Sequence, residues 1–157
     1  MFKCRTCKKE DRFVWIKLNR AFMDEEIQDE DLWNNTQEVS EERFEKTFEE
    51  AMSLPEMIDL LLFEAEGEVI GFANLLTIFS VWTHGKSMVL DDLYIKPEAR
   101  GKGYGKAALW QIEEFAKAKG CQRIQFQSEA TNPNAREFYK AAGYMPSDMY
   151  FYVKYFR

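Results

Sequence analysis

The 157-residue chain contains few of the residues that commonly form metal and redox sites, and it has no long apolar segment. It contains one histidine, three cysteines and four prolines. No apolar run approaches the roughly 18 to 20 residues that a membrane-spanning helix needs. The N-terminal residues Met1 to Cys7 also lack the apolar stretch of a signal peptide. We therefore expect a cytoplasmic protein that does not bind a membrane.

The cysteines include one C-x-x-C pair, Cys4 and Cys7, a spacing that is typical of redox and zinc sites. A structural zinc site needs about four ligands, and Cys121 and His84 stand at no recognisable spacing from the pair. A redox pair would follow a strand and begin a helix, whereas this pair lies at the beginning of the chain. We interpret both cysteines as incidental residues of a first strand and predict no metal site.

Basic residues are also in the minority, with 21 against 27 acidic residues and a net charge of −6. This balance argues against nonspecific binding to nucleic acid or to an anionic membrane, and it favours a cationic partner. Apolar residues make up 46% of the chain and aromatic residues 15%, which is enough for one good core. We therefore expect a single domain over residues 1–157.

The apolar periodicity predicts a mixed α/β fold. The predicted strands cover residues 2–7, 57–64, 69–81, 87–95, 123–128 and 149–156, and helices begin near residues 9, 40, 103 and 134. The three central strands are separated by short turns and should form an antiparallel meander. The following strand–helix–strand unit implies a parallel crossover pair. The expected architecture is a mixed sheet with helices on both faces.

The stretch from Leu90 to Lys106 carries the clearest functional pattern. Pro97 ends a strand-like run there, and a turn with alternating glycines then opens into a helical pattern. Glycines let a backbone approach an anion, and the N-terminus of a helix offers unpaired N–H groups. The turn contains three glycines and three cations: Gly101, Gly103 and Gly105, with Arg100, Lys102 and Lys106. The pattern predicts a phosphate-binding turn.

Two separate motifs carry a resemblance to a known family. Residues 100–105 read Arg-Gly-Lys-Gly-Tyr-Gly, and residues 132–144 read Asn-Pro-Asn-Ala-Arg-Glu-Phe-Tyr-Lys-Ala-Ala-Gly-Tyr. They are similar to the R/Q-x-x-G-x-G/A and N-x-x-A-x-x-F-Y-x-x-x-G-F/Y signatures of the GCN5-related N-acetyltransferases. The resemblance implies that family's fold and the transfer of an acetyl group from acetyl-CoA to an amine.

The resemblance also implies where acetyl-CoA would bind. In the family, a β-bulge splays the strand before the turn from its parallel neighbour, and pantetheine pairs with the exposed backbone in the gap. The pyrophosphate would lie on the amides of the glycine turn, and Asn132 would bond the pantetheine arm. The implied cofactor-binding residues are Leu93, Tyr94, Ile95, Arg100, Gly101, Lys102, Gly103, Tyr104, Gly105, Lys106, Asn132 and Tyr139.

The implied chemistry is direct transfer, with an oxyanion held by a strand amide N–H and the leaving thiolate protonated by Tyr139. An alkylammonium must also lose a proton before its nitrogen can attack. Candidate bases are Asp91, Asp92 and Glu129. We prefer Asp91, because it aligns with the acidic residue of the polyamine-type members, and take Glu129 as the second choice. A base acting through ordered water is an alternative.

The predicted acceptor is a small cationic amine, such as a polyamine, a diamine or an aminoglycoside. The turn Trp82 to Lys86 resembles a loop of the diamine and polyamine acetyltransferases, although His84 within it is expected to be an exposed turn residue. An acidic segment lies where those enzymes cover the substrate: Glu25, Glu26, Asp29, Glu30 and Asp31. Alternatives are acetylation of a protein N-terminus or lysine, and a non-catalytic acyl-CoA-binding regulatory module. Dimers are common in the family, so a homodimer is an expected assembly.

Overall fold

The computed structural model describes residues 1–26, 40–130 and 132–156. The strands are β1 (Phe2–Thr6), β2 (Ile58–Ala65), β3 (Glu68–Ser80), β4 (Gly85–Ile95) and β5 (Arg123–Gln125). The helices are α1 (Arg12–Glu26), α2 (Glu41–Met52), α3 (Tyr104–Ala118) and α4 (Pro133–Ala141), and short 3-10 turns cover Lys9–Asp11 and Pro97–Ala99. The predicted helices and the first five strands are all present.

The sheet has the strand order β1-β2-β3-β4-β5. The first four strands pair antiparallel with their neighbours, and β4 pairs parallel with β5. Tight turns explain the meander, since Glu66 and Gly67 join β2 to β3 with the positive φ values that such turns require. The predicted mixed sheet, with a meander followed by a parallel pair, is confirmed.

Helices cover both faces of this sheet. Side chains alternate along β2, so that Leu61 and Phe63 face one core while Leu60 and Leu62 face the other. The first core is closed by the apolar face of α3, which includes Leu109 and Ile112. The second is closed by α1 and α2, whose buried side chains are Trp15, Ile16, Leu18, Phe44, Phe48 and Ala51. The apolar faces of these helices are therefore buried, whereas Phe13 at the start of α1 is 69% exposed.

The predicted last strand is wrong. Residues 149–156 form no strand, and the strand predicted over 123–128 shortens to Arg123–Gln125. Tyr150 and Tyr152 are 88% and 86% exposed, so their β propensity is not supported by burial. Strand propensity depends on packing against neighbouring strands, and β5 offers only a three-residue ladder. An aromatic-rich segment was therefore insufficient to predict a strand.

The cysteine pair belongs to β1 and its packing. Cys4 lies in β1, and Cys7 follows it as a buried residue of the core beneath α1 and α2. Burial raises the pKa of the Cys4 thiol to about 11 and that of Cys7 to about 12, so both stay protonated at neutral pH. Within the described ranges, no three His, Cys, Asp or Glu side chains group as a metal site, and no helix is long and apolar enough to span a membrane. The assignment of residues 1–157 to one domain stays a prediction.

Candidate active site

The candidate site begins where β4 separates from β5. Their parallel pairing covers only Ser87–Val89 on β4 and Arg123–Gln125 on β5. On its other side β4 stays paired with β3 as far as Ile95, opposite Gly71. In the part of the chain that the structure describes, the β5-side edge of β4 therefore has no strand partner over residues 90–95. The predicted splaying of the two strands is confirmed.

A β-bulge lies at the same place on β4. Asn74 of β3 pairs with Asp92, and the next residue, Leu75, pairs with Leu90. Asp91 is therefore the extra residue of a bulge, as the family pattern predicted. The bulge interrupts the strict alternation that would otherwise place Asp91 and Asp92 on opposite faces.

The glycine turn follows β4 and leads into α3. Gly101 and Gly103 have φ values of 77° and 83°, a left-handed conformation that favours glycine. A Cβ at either position would meet no atom within 4 Å, so both glycines border open space. Gly103 is the N-cap of α3 and has no side chain to occupy the first amides of that helix. Lys102 and Lys106 are exposed beside it, so the turn suits an anion such as a pyrophosphate.

Two residues of the predicted cofactor site make contacts within the protein. The Arg100 guanidinium donates from Nη2 to the Glu25 carboxylate (2.9 and 3.2 Å) and from Nε to the Ile95 carbonyl (2.8 Å). It also lies over the Tyr94 ring, 5.4 Å from the centroid. The Tyr104 ring stacks on Phe2 at 5.8 Å. Arg100 therefore joins the turn to the end of α1, and its contact with a pyrophosphate stays a prediction.

Helix α4 places the second motif beside this turn. Asn132 is its N-cap, and Oδ1 accepts from the backbone N–H of Ala135 (3.1 Å). A Cβ at Gly105 would lie 3.8 Å from the Phe138 ring, so α4 and the start of α3 are in contact. The Asn132 Oδ1 atom serves the cap, which leaves the amide group for the predicted pantetheine bond.

Tyr139 is half-buried on α4. Its ring lies 4.4 Å from Phe126 and 6.2 Å from Tyr144, between centroids. Burial raises the pKa of the Tyr139 hydroxyl, so it is protonated at neutral pH and can act as a donor. Tyr144 has a different role, because its hydroxyl donates to Oε1 of Glu113 (2.8 Å) and its ring packs on Phe126. The predicted packing role of Tyr144 is confirmed, and the catalytic role of Tyr139 stays a prediction.

Asp92 is the carboxylate most strongly affected by its surroundings. Burial raises its pKa to about 6, against the opposing effect of a hydrogen bond from Asn74, and the charges of Asp91 and Glu26 raise it further. The Asn74 bond runs from Nδ2 to Asp92 Oδ2 and is 2.8 Å long. Asp91 is more exposed, and partial burial raises the pKa of its carboxyl as well.

Two further carboxylates, Glu26 and Glu129, are linked to these aspartates by charge interactions. Burial raises the pKa of Glu26, in the last turn of α1, and the charges of Glu129 and Glu25 add to that effect. The charge of Glu26 acts in turn on Asp92. Charge interactions thus link four carboxylates, which we call the acidic cluster: Glu26, Asp91, Asp92 and Glu129. Asp29, Glu30 and Asp31 of the predicted acidic segment lie outside the described residues.

Sequence reasoning missed Asn74 and did not distinguish Glu26 from its acidic neighbours. A signal for Asn74 was present, because it is a single amide in the apolar run Phe72 to Leu76 of a central strand. Buried polar groups need hydrogen-bond partners, so such a residue indicates a polar contact across the sheet. His84 lies where it was expected, exposed at the tip of the β3–β4 hairpin with a φ of 57°.

Comparison with known proteins agrees with this geometry. The family model described as the acetyltransferase (GNAT) family matches residues 21–144. This chain belongs to the GNAT family. The part that the family model matches includes α2 to α4, β2 to β5, the glycine turn and all four carboxylates of the acidic cluster.

Individual relatives match over shorter segments. An uncharacterized N-acetyltransferase of Bacillus subtilis, YhfO, is 35% identical over 54% of this chain and 57% of its own length. The thialysine N-epsilon-acetyltransferase of Sus scrofa is 35% identical over 48% of this chain and 44% of its own. The chain thus spans about half the length of these curated relatives. The solved structure of glucosamine-6-phosphate N-acetyltransferase from Arabidopsis thaliana superposes on this chain with a TM-score of 0.72 at 22% sequence identity. The superposition covers 100% of this chain and 99% of that chain, so the two share the GNAT fold.

The open glycine turn generates a binding prediction. Gly103→Val should weaken CoA affinity by about tenfold or more, because a β-branched side chain would fill the open space over the α3 amides. Gly120→Val is the matched control, since Gly120 has a φ of 84°, borders open space and lies at the other end of α3. Calorimetric titration of CoA should show the loss only for Gly103→Val. Equal affinities in the two variants would mean that the turn is not the pyrophosphate site.

The raised pKa of Asp92 generates a stability prediction. Its folded value of about 6 exceeds the ordinary value of 3.8, so its contribution to stability is present below pH 3.8 and is lost as the pH rises through 6. Asparagine does not titrate and still accepts from Asn74. We compare the free energy of unfolding of Asp92→Asn with that of the natural protein. The difference should change by about 2 kcal/mol in favour of the variant between about pH 4 and about pH 7.5. Urea denaturation at both pH values measures this, and a pH-independent difference would contradict it.

Proposed function

We propose that this chain is an acetyl-CoA-dependent N-acetyltransferase that acts on a small cationic primary amine. The observation that carries the proposal is the position of the acidic cluster. Asp91 and Asp92 lie at the bulge in β4, the charge of Glu26 acts on Asp92, and the same strand leads directly into the glycine turn. A site for an anionic cofactor therefore adjoins a site of negative charge that favours an ammonium group.

The residues present fit acetyl-CoA. The β5-side edge of residues 90–95, which has no strand partner among the described residues, suits an extended amide-containing arm, which would add to β4 in the manner of a strand. The turn from Gly101 to Lys106 offers amide N–H groups and two exposed lysines to a pyrophosphate. When bound, acetyl-CoA would supply an acetyl group activated as a thioester. The contacts of Leu93, Tyr94, Ile95 and Asn132 with it are part of the proposal.

The protein groups then perform two proton transfers. A carboxylate takes the proton that the ammonium must lose, and the amine nitrogen forms a bond to the carbonyl carbon as the carbon–sulfur bond breaks. Tyr139 gives its proton to the departing sulfur, and an N–H of the open β4 edge donates to the carbonyl oxygen as negative charge develops there. The nitrogen loses its second proton as the amide forms, and that proton restores the Tyr139 hydroxyl. The products are an N-acetyl amine, a thiol and one proton held by the carboxylate.

We assign the base to Asp92. Asp91 was the preferred residue from the sequence alignment and Glu129 the second choice, and both remain alternatives. Asp92 has two properties that favour it: a defined hydrogen bond that fixes one oxygen, and a pKa of about 6 that makes it a stronger base than an ordinary aspartate while still ionised at neutral pH. Asp91 contributes negative charge from the same bulge.

The acceptor class follows from charge and from the relatives. An acceptor with a primary ammonium would be attracted to the acidic cluster, whereas an anionic acceptor would be repelled. The name of the Sus scrofa relative, thialysine N-epsilon-acetyltransferase, refers to an acceptor of that kind. We include polyamines, diamines and aminoglycosides in the same class. A cytoplasmic location and a homodimer stay predictions.

An amine panel tests this function. Acetyl-CoA turnover, followed by release of free thiol, should be fastest with an acceptor from a set of diamines, polyamines, thialysine and aminoglycosides. Turnover with glucosamine 6-phosphate should be slower, because its phosphate would face the acidic cluster. Faster turnover with protein N-termini or lysine-containing peptides would favour the protein acetyltransferase alternative. Tight CoA binding without any turnover would favour the regulatory module and contradict the proposal.

The assignment of Tyr139 generates a separate prediction. Tyr139→Phe should lower kcat about 100-fold with the best amine and leave the KM for acetyl-CoA nearly unchanged, because only the proton donor is removed. Tyr144→Phe is the matched control, since the Tyr144 hydroxyl bonds Glu113. Steady-state kinetics of both variants should show the loss in Tyr139→Phe alone. An unchanged kcat in Tyr139→Phe would mean that another group protonates the thiolate.

A further inference from the structure

A chain of side-chain hydrogen bonds crosses from α1 to the bulge in β4. Trp15 Nε1 donates to Asn74 Oδ1 (3.0 Å), and Asn74 Nδ2 donates to Asn19 Oδ1 (2.9 Å) and to Asp92 Oδ2 (2.8 Å). Asn19 Nδ2 in turn donates to the Trp15 carbonyl (2.7 Å). Trp15 and Asn19 are each 3% exposed, so the α1 end of this chain is shielded from water, and Asn74 and Asp92 are half-buried. Helix α1, central strand β3 and the candidate base are thereby connected.

The chemistry of these groups allows only one orientation of the Asn74 amide. The indole N–H of Trp15 is a donor without an acceptor function, so it must face the amide oxygen of Asn74. The NH₂ group of Asn74 must then face Asn19 and Asp92. Its two hydrogens match two acceptors, Asn19 Oδ1 and Asp92 Oδ2. Trp15 therefore determines that Asp92 receives a donor.

We propose that Asn74, anchored by Trp15 and Asn19, is the positioning residue of the amine site, which holds Asp92 Oδ2 and leaves Oδ1 to accept the hydrogen of the acceptor ammonium. This inference rests on the proposed function for its catalytic meaning. Asn74 itself does not take part in the chemistry. It fixes the carboxylate in one rotamer and holds it in the ionised form by donating to it.

Charged groups on the elements packed around Asp92 affect its ionisation. Asp91 on β4 and Glu26 on α1 place negative charge near Asp92, and Glu129 after β5 acts on Glu26. Burial and the charges of Asp91 and Glu26 disfavour ionisation of Asp92. The hydrogen bond from Asn74 is the contact that favours it. Without this bond, Asp92 would be protonated over more of the neutral range and would lose its role as a base.

Two variants and one control test the proposal. Asn74→Leu removes the donor, and the pKa of Asp92 should rise by about one unit. Trp15→Phe keeps a ring in place but removes the donor that orients Asn74, so the pKa should rise by a smaller amount although residue 15 does not touch Asp92. Phe48→Leu is the control, because the Phe48 ring packs on Trp15 at 5.3 Å and its loss destabilises the same core without altering the hydrogen-bond chain.

The main readout is independent of activity. The carboxyl carbon of Asp92 in the ligand-free protein can be titrated by NMR, with Asp92→Asn used to assign the signal. The expected result is an upward shift in Asn74→Leu, a smaller upward shift in Trp15→Phe and no shift in Phe48→Leu. An unchanged Asp92 titration in Asn74→Leu, or an equal shift in Phe48→Leu, would overturn the proposal, because Asn74 would then serve only the packing of the core.

A kinetic readout separates this proposal from the proposed function. The low-pH limb of kcat/KM for the best amine should move upward in Asn74→Leu by the same amount as the Asp92 titration. If no amine is acetylated while the NMR titration shifts as expected, the proposed function fails and the hydrogen-bond chain stands. If amines are acetylated and the limb does not move with the titration, Asn74 does not position the catalytic base.

Discussion

The early separation of β4 from β5 is the constraint on which the rest of the site depends. A parallel pair that continued beyond three residues would use the backbone of residues 90–95 for the sheet, and no edge would remain for an extended ligand. The bulge at Asp91 lies within this unpaired part. The glycine turn comes at its end, so one strand and the turn after it would bind the proposed cofactor arm, its pyrophosphate and the acceptor. The helices on the two faces keep that strand in place while its edge stays open.

The acidic cluster has an energetic cost that its proposed role in binding and deprotonating an amine would explain. Burial and neighbouring charges disfavour the ionised form of Asp92, so the folded protein is less stable at neutral pH than it would be with a neutral group there. Asn74 offsets part of this cost with a single hydrogen bond, and Trp15 and Asn19 keep its amide satisfied on every side. A buried polar network with all members satisfied is rigid, which suits a carboxylate that must present one oxygen in a fixed direction.

Much of the fold could be predicted because its signals are local. Turn residues and alternating apolar side chains defined the meander, and the two motifs placed the glycine turn and α4. The last strand failed because the aromatic pattern of residues 149–156 indicates strand propensity but not the presence of a partner strand. The Asn74 contacts could not be derived from local pattern either, since they join residues 55 and 59 positions apart in the chain. The sequence therefore indicated candidate residues for the chemistry, whereas the residues that hold them are visible only in the folded chain.

The bulge gives the adjacent residues Asp91 and Asp92 different environments, so the assignment of the base to Asp92 is a specific and testable claim. The most direct measurement is the pH dependence of kcat/KM for the best amine in Asp91→Asn and Asp92→Asn, compared with the natural protein. If Asp92 is the base, kcat/KM should fall below about pH 6 in the natural protein. Asp91→Asn should keep this fall but move it to lower pH, because a neighbouring negative charge is lost. Asp92→Asn should abolish the fall together with most of the rate. A fall that persists in Asp92→Asn and disappears in Asp91→Asn would contradict this assignment.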